Sequence, residues 1–277
     1  MALLKLIFRF LRYYFRAKTR YNVHSPFVFD FTEHVLEDDR WFYAFWEIEV
    51  FRRFLRTLRT KIALTDLGAG SKFHPGTTRS IASLARYSAS RPFACRWLFK
   101  IVEHYKPRTM LELGTSLGIS TAYQAAAARN ARMVTIEGCP NIARLAAENF
   151  KQMGVQNVSL LQGRFEDMLP AAFGELKRLD YVFFDGNHRR EPTLRYFELC
   201  LEHARDDSIF IFDDIHWSAG MEAAWHEIKN HPKVRLTLDL FFFGVVFFRK
   251  EQKVKEHFTL VKWTWKPWAV GVGDFFG

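Results

Sequence analysis

Residues 109–121, Thr-Met-Leu-Glu-Leu-Gly-Thr-Ser-Leu-Gly-Ile-Ser-Thr, set an acid and two glycines in one short stretch. The pattern predicts a buried strand ending at Glu112-Leu113, a tight turn at Gly114 and a helix opening near Gly118. Such a turn brings backbone against a ligand, since a Cβ at Gly114 or Gly118 would occupy the ligand's space. The spacing is Gly-x-x-x-Gly after an acid, which departs from the Gly-x-Gly-x-x-Gly of nicotinamide and flavin enzymes. An acid at Glu112 suits a cationic or amine-bearing ligand better than a pyrophosphate. S-adenosylmethionine, with its amino group and sulfonium, meets that description.

The flanking segments must position this turn. Arg132-Met-Val-Thr-Ile-Glu137 is a second apolar run ending in an acid, about 20 residues past the glycine turn, where a ribose-binding carboxylate belongs. A helical pattern follows from Pro140 to Lys151, then a third strand at Val158 to Gly163. Leu179 to Asp185 and Ser208 to Asp214 give the fourth and fifth strands, with helical sequence from Pro192 to His203 between them. Strands apolar on both faces, alternating with helices, predict a parallel sheet covered on both sides. Each of the five strands runs into Glu, Gly or Asp. Ligands of open sheets bind at the carboxyl ends of strands, so these polar ends line one crevice.

Four segments carry a resemblance: Leu-Glu-Leu-Gly-Thr-Ser-Leu-Gly-Ile-Ser (111–120), Thr-Ile-Glu-Gly-Cys-Pro (135–140), Asp-Gly-Asn-His (185–188) and Asp-Asp-Ile-His-Trp (213–217). In this order, residues from about 97 to 250 resemble a class I S-adenosylmethionine-dependent methyltransferase. The likeness is to the catechol and caffeoyl-CoA O-methyltransferase branch and its bacterial small-molecule relatives. It implies an α/β Rossmann-like methyltransferase fold: a seven-stranded, mostly parallel sheet, its last strand reversed, with helices on both faces. Val234 to Leu240 and Gly244 to Arg249 would supply the final pair of strands. By the same resemblance Glu112, Gly114, Ser116 and Gly118 receive the methionine moiety, Glu137 the ribose hydroxyls and Glu166 the adenine edge. Asp185, Asp213 and Asp214 fall at the positions of Mg²⁺ ligands, and carboxylates at neighbouring strand ends can converge on such a hard cation. Asp214 stands where catechol-type enzymes carry an amide. Asp213 or Asp214 could instead cap the following helix. His188 replaces a basic lysine near the acceptor hydroxyl; a general base, a metal ligand and a loop-orienting group are its three roles. His216 and Trp217 either shape the acceptor pocket or pack a helix.

Composition agrees with one large domain carrying appendages: 277 residues, 49% hydrophobic, with 29 Phe. The division expected is an N-terminal helical extension at 1–60, a glycine-containing loop or lid and a helix at 61–96, the cofactor-binding domain at 97–250, and an aromatic tail at 251–277. Thr65-Asp-Leu-Gly-Ala-Gly-Ser71 imitates a second nucleotide turn but lacks a following acid-ended strand, and reads as a loop near the crevice. Three scattered cysteines without metal-like spacing point to a reducing cytoplasm. Neither a secretory signal nor a membrane span of about 18 apolar residues is apparent.

The net charge of +10 is concentrated at the start, where Lys5, Arg9, Arg12, Arg16, Lys18 and Arg20 meet no acid within residues 1–20. Lys5, Arg9, Arg12 and Arg16 form one helical stripe, and Leu3, Leu4, Ile7, Phe8, Leu11 and Phe15 fill most of the rest. Two readings stay open: a helix packed on its own domain or a partner subunit with its charged stripe in water, or one lying peripherally on anionic lipid. Motifs for nucleic-acid binding are not seen. The combined expectation is a cytoplasmic S-adenosylmethionine-dependent O-methyltransferase for a small-molecule acceptor, Mg²⁺ assisting, with a homodimer as one assembly. The rival functions are a membrane-surface lipid or quinone methyltransferase and a non-catalytic interaction protein that keeps the fold.

Overall fold

Each strand's two faces are apolar, so helices must cover both. The computed structural model describes residues 2–65 and 78–269. The N-terminal part holds α1 (Ala2–Arg16), α2 (Pro26–Phe31) running into a π-turn (Thr32–Leu36), α3 (Tyr43–Leu55), the short antiparallel pair β1 (Lys61–Ala63) and β2 (Thr78–Ser80), and α4 (Ile81–Tyr87). Next come α5 (Pro92–Tyr105), β3 (Thr109–Leu113), α6 (Ile119–Ala127), β4 (Arg132–Glu137), α7 (Pro140–Gln152), β5 (Val158–Gln162) and α8 (Phe165–Leu176). The chain continues through β6 (Leu179–Phe184), α9 (Arg190–Leu201), β7 (Ala204–Asp213), α10 (Ala219–Asn230), β8 (Leu236–Asp239), β9 (Phe243–Phe247) and β10 (Glu256–Thr259). The glycine loop expected at Asp66–Ser71 lies outside the described residues.

The main sheet runs β10-β8-β9-β7-β6-β3-β4-β5, with β9 antiparallel to both β7 and β8 and the remaining pairs parallel. The seven expected strands are there with the reversed strand in place. The tail adds an eighth, because β10 pairs in parallel with β8 and covers its open edge. Side chains alternate across the sheet as the pleat requires. Met110, Met133, Tyr181, Phe183 and Ile211 pack with Leu98, Ile101 and Val102 of α5. Leu111, Val134, Val182, Phe184 and Phe212 face α8, α9 and α10 through Leu169, Phe197 and Trp225. Strand order reverses between β3 and β6, and the switch point opens there.

The N-terminal helix sits differently from its first expected form. Its basic stripe faces the domain in part: Arg9 Nε lies 2.7 Å and Arg12 3.5 Å from Glu222 of α10. The Lys266 ammonium caps the last carbonyls of α1, at 3.0 Å from that of Tyr14 and 2.9 Å from that of Ala17. Tyr13 is buried and donates to the Leu260 carbonyl, so the aromatic tail packs on the domain and on α1. Leu4, Ile7, Phe8, Leu11 and Phe15 are left exposed. Among the described residues no helix is long and apolar enough to cross a membrane.

Candidate active site

Five strand ends meet at the switch point, and backbone bonds past the strands keep their turns in register. Gly114 N–H donates to the Ile136 carbonyl at 3.0 Å, Asp185 N–H to Leu113 at 2.9 Å and Gly163 N–H to Glu137 at 3.0 Å. Gly114 has φ +108°, and a Cβ there would lie 2.3 Å from the Asp185 carbonyl oxygen. Gly118, at φ +78°, would drive a Cβ to 2.4 Å from the Phe150 ring. Both glycines are therefore required by the protein's own packing rather than by the ligand space assigned to them from sequence.

Glu112 also departs from expectation. It is fully buried on the face of β3 that looks toward α6, and its charge still bears on Asp185. Its carboxylate accepts from Ser120 Oγ at 2.9 Å, Gln124 Nε2 at 2.7 Å, Thr135 Oγ1 at 2.7 Å and the Thr121 hydroxyl. Burial raises its pKa, and those four donors oppose the rise. Saturated in this way, Glu112 ties the first turn of α6 to β3 and β4 and has no role left for a ligand amine. Glu137 does reach the crevice, half-buried at the end of β4. It accepts the N–H groups of Ser116 and Cys139, each at 2.9 Å, and so shapes the loop that carries Ser116 at φ +49°. Burial pushes its carboxyl up against those bonds.

Glu166 is held on one oxygen. Its Oε1 pairs with the Arg195 guanidinium and accepts from Tyr196 Oη at 2.9 Å, while Oε2 has the Arg164 guanidinium at 3.8 Å, so one carboxylate oxygen remains for the adenine-edge contact expected of it. The same tyrosine accepts from Asn187 Nδ2 at 3.4 Å, while Asn187 Oδ1 is buried without a partner. Asn187 and Asp214 both take left-handed backbone, φ +55° and +54°, directly after the two strands that end in acids.

Those strands, β6 and β7, bring Asp185 and Asp213 together with His188. One ligand atom from each of the three lies within 4.8 Å of the others. Asp214, the third ligand expected from sequence, is not in that trio, and His188 stands in its place. His188 Nε2 is 3.8 Å from Asp185 Oδ1, too far for a hydrogen bond. The carboxyls of Asp185 and Asp213 are raised well above the usual range, both first by burial; Glu112 and Asp214 raise Asp185 further while its hydrogen bond with Asp213 opposes the rise, and Asp214 and Asp185 raise Asp213. Burial lowers the His188 pKa, with Asp214 opposing it.

Residues 111–215 match a methyltransferase domain family. Over 186 residues the chain is 24% identical to the O-methyltransferase hkm8 of Aspergillus hancockii, covering 61% of this chain and 73% of that protein. It is 28% identical to a catechol O-methyltransferase of Niastella koreensis over 142 residues, 50% of this chain and 63% of the relative. The S-adenosylhomocysteine-bound methyltransferase PaMTH1 of Podospora anserina superposes with a TM-score of 0.58 at 17% identity, over 82% of this chain and 97% of that one. Residues 111–215 are a methyltransferase domain, on the fold of solved O-methyltransferases.

In this methyltransferase the segment before the sheet builds part of the crevice wall, through side chains that sequence reasoning did not single out. Arg52 of α3, buried to 1% exposure, pairs with Glu49 and donates to the Ser90 carbonyl. Ser90 Oγ then reaches Asp185 Oδ2 at 3.4 Å, and the Arg91 guanidinium bears electrostatically on Asp214. No spacing in the sequence announces these contacts, since 38 and 95 residues separate the partners. His216 is a packing residue, bridging Asp239 at 2.9 Å and Glu222 at 3.3 Å beneath α1. A hollow of about 870 Å³ lies away from the strand ends, beside Trp46, Phe51 and Met153.

Proposed function

We propose that the protein transfers a methyl group from S-adenosylmethionine to a hydroxyl of a small molecule, with a divalent cation held by Asp185, His188 and Asp213. The observation that carries this reading is the half-buried pair Asp185 and Asp213 at adjacent strand ends, both carboxyls raised by burial, with an imidazole beside them. Two buried carboxylates with few donors are costly unless a proton or cation joins them. The oxygen-rich set suits Mg²⁺, and the exposed edge leaves room for water and acceptor. A bound cation would lower the pKa of an acceptor hydroxyl. Asp214 flanks the set and balances Arg91 and His188.

Methyl transfer from a sulfonium is an in-line displacement, so the protein's work is alignment, exclusion of water and removal of one proton. Glu137 and the 114–118 loop form the cofactor side of the crevice, with Glu137 facing the ribose hydroxyls and the loop backbone, including Ser116, facing the methionine part. Glu112 acts behind them by holding that loop. His188, kept neutral by burial, takes the acceptor proton when it is not ligating the cation. The test is calorimetric titration with S-adenosylmethionine and S-adenosylhomocysteine, with and without Mg²⁺. Micromolar binding, weakened at least about tenfold in Glu137→Ala, is expected. Absence of binding to either compound overturns the reading.

A second reading concerns where the acceptor is met, and the exposed apolar face of α1 favours it. Leu4, Phe8 and Phe15 are 70%, 68% and 74% exposed, and Lys5 and Arg16 share the same helix. Trp217, whose carbonyl accepts from Arg9, is 60% exposed beside the loop after β7. Such a face fits an anionic lipid surface and a lipid-soluble hydroxyl acceptor. Cosedimentation with vesicles containing 30% phosphatidylglycerol should fall sharply for the double substitution Phe8→Ser, Phe15→Ser. Unchanged binding, or a dimer that needs Phe8, refutes it.

A further inference from the structure

Away from the crevice, the described residues bring together a second set of metal-competent side chains, which nothing in the methyl-transfer chemistry uses. Asp30 lies near the end of α2, His34 in the π-turn that follows, and His104 in the last turn of α5. Both imidazoles lie against Asp30: His104 Nε2 is 2.7 Å from Oδ2, and His34 Nδ1 is 3.1 Å from Oδ1 and 3.0 Å from the Asp30 backbone carbonyl, a bond it must give up, or turn Nε2 inward, to ligate a metal. The two rings are nearly parallel, 4.7 Å between centroids and 13° between planes. One ligand atom from each residue lies within 4.8 Å of the other two.

We propose that Asp30, His34 and His104 bind a divalent first-row metal ion of the zinc type, clipping the N-terminal segment to α5. Zinc with nitrogen and oxygen ligands at its usual bond lengths spaces neighbouring ligand atoms by about 3.3 Å. The ligand atoms already lie within 4.8 Å of one another, and the side chains, 44%, 43% and 23% exposed, have freedom to rotate toward that spacing. Asp30 and His34 are four residues apart and so share a helix face, while His104 comes from a separate, rigid helix. The π-turn Thr32–Leu36 spans His34, and such turns concentrate at functional sites because they are poor helix otherwise. Two imidazoles select zinc, nickel, cobalt or copper over magnesium and calcium. That separates this site in kind from the carboxylate-rich crevice. Three protein ligands leave a position for water, so the metal is exchangeable.

The proposal stands independently of the methyl-transfer reading and is tested on the full chain with the metal alone. Wild type, His34→Gln, Asp30→Asn and the crevice variant Asp213→Asn are titrated with Zn²⁺ by calorimetry and with Co²⁺ by visible absorption. Melting is followed with and without Zn²⁺. Zinc at about 100 times its dissociation constant should raise the wild-type melting temperature by roughly 5 °C or more. His34→Gln and Asp30→Asn should each lose at least about tenfold in Zn²⁺ affinity and most of that rise, and Asp213→Asn should keep both. Excess Mg²⁺ should not displace the zinc. Zinc binding unaltered in both His34→Gln and Asp30→Asn, or lost only in Asp213→Asn, overturns the site and leaves a hydrogen-bonded cluster. Both substituted residues are half-exposed, and equal melting of the variants in chelator verifies their folding.

Discussion

Glu112 and Asp185 belong to adjacent strands, β3 and β6, yet their surroundings differ as much as two buried acids can. Four side-chain donors surround the Glu112 carboxylate. Asp185 receives one weak bond from Ser90, shares a second with the carboxyl of Asp213, and has an imidazole at 3.8 Å. Charge at Glu112 is completed by the protein and holds structure in place. Charge at Asp185 is left incomplete, which is how a fold stores capacity to bind a cation or move a proton. The crevice thus divides into a finished half, β3 and β4, and an unfinished half, β6 and β7.

Removing an acid from each half should give opposite results. Asp213→Asn relieves the repulsion, so it should stabilise the metal-free protein by about 1 kcal/mol while lowering methyl transfer to a phenolic acceptor by at least about 100-fold. Denaturant melts and initial rates measured on one preparation check both signs. Lower stability together with unchanged rate would erase the contrast between the halves. Glu112→Ala orphans four buried donors and should cost roughly 3 kcal/mol or more, seen as a melting temperature lower by several degrees. Any loss of cofactor affinity in that variant should follow the loss of folded protein. A stable Glu112→Ala that binds S-adenosylhomocysteine poorly would return Glu112 to the ligand.

This contrast also marks what the sequence could convey. Strand positions were legible because residues such as 179–184 and 208–213 are apolar on both faces, and periodicity carries that directly. The place of Glu137 was legible from its spacing. Glu112 was assigned to the crevice because an acid at a strand's end looks alike whichever face it points to. The clue lay in Ser120, Thr121 and Gln124, polar residues at buried positions of an otherwise alanine-rich helix, which call for a buried partner. Arg52, Ser90 and Arg91 had no local signal, since their contacts join separate helices and loops. The edge strand Glu256–Thr259 was hidden in an aromatic tail too short to show alternation.

The smallest effect sharpens the finished half. Burial pushes the Glu166 carboxyl up, but its own N–H, Tyr196 and Arg195 outweigh this and hold it below the usual range. A depressed folded pKa means stability that is present above the unfolded value, about 4.3, and is lost as pH falls through the folded one. Glu166→Gln should therefore be less stable than wild type at pH 7 by under about 1 kcal/mol, because the pair with Arg195 is partly exposed. The difference should shrink as pH falls below the unfolded value and vanish once pH is below the depressed folded one, as wild-type Glu166 takes up its proton. With Oε1 held by Arg195 and Tyr196 and the glutamine amide oxygen able to accept in place of a carboxylate oxygen, Glu166→Gln should leave S-adenosylhomocysteine affinity within about twofold of wild type. If affinity instead falls tenfold while the pH-dependent difference is missing, Glu166 serves the ligand, and the finished half extends its acids into the crevice after all.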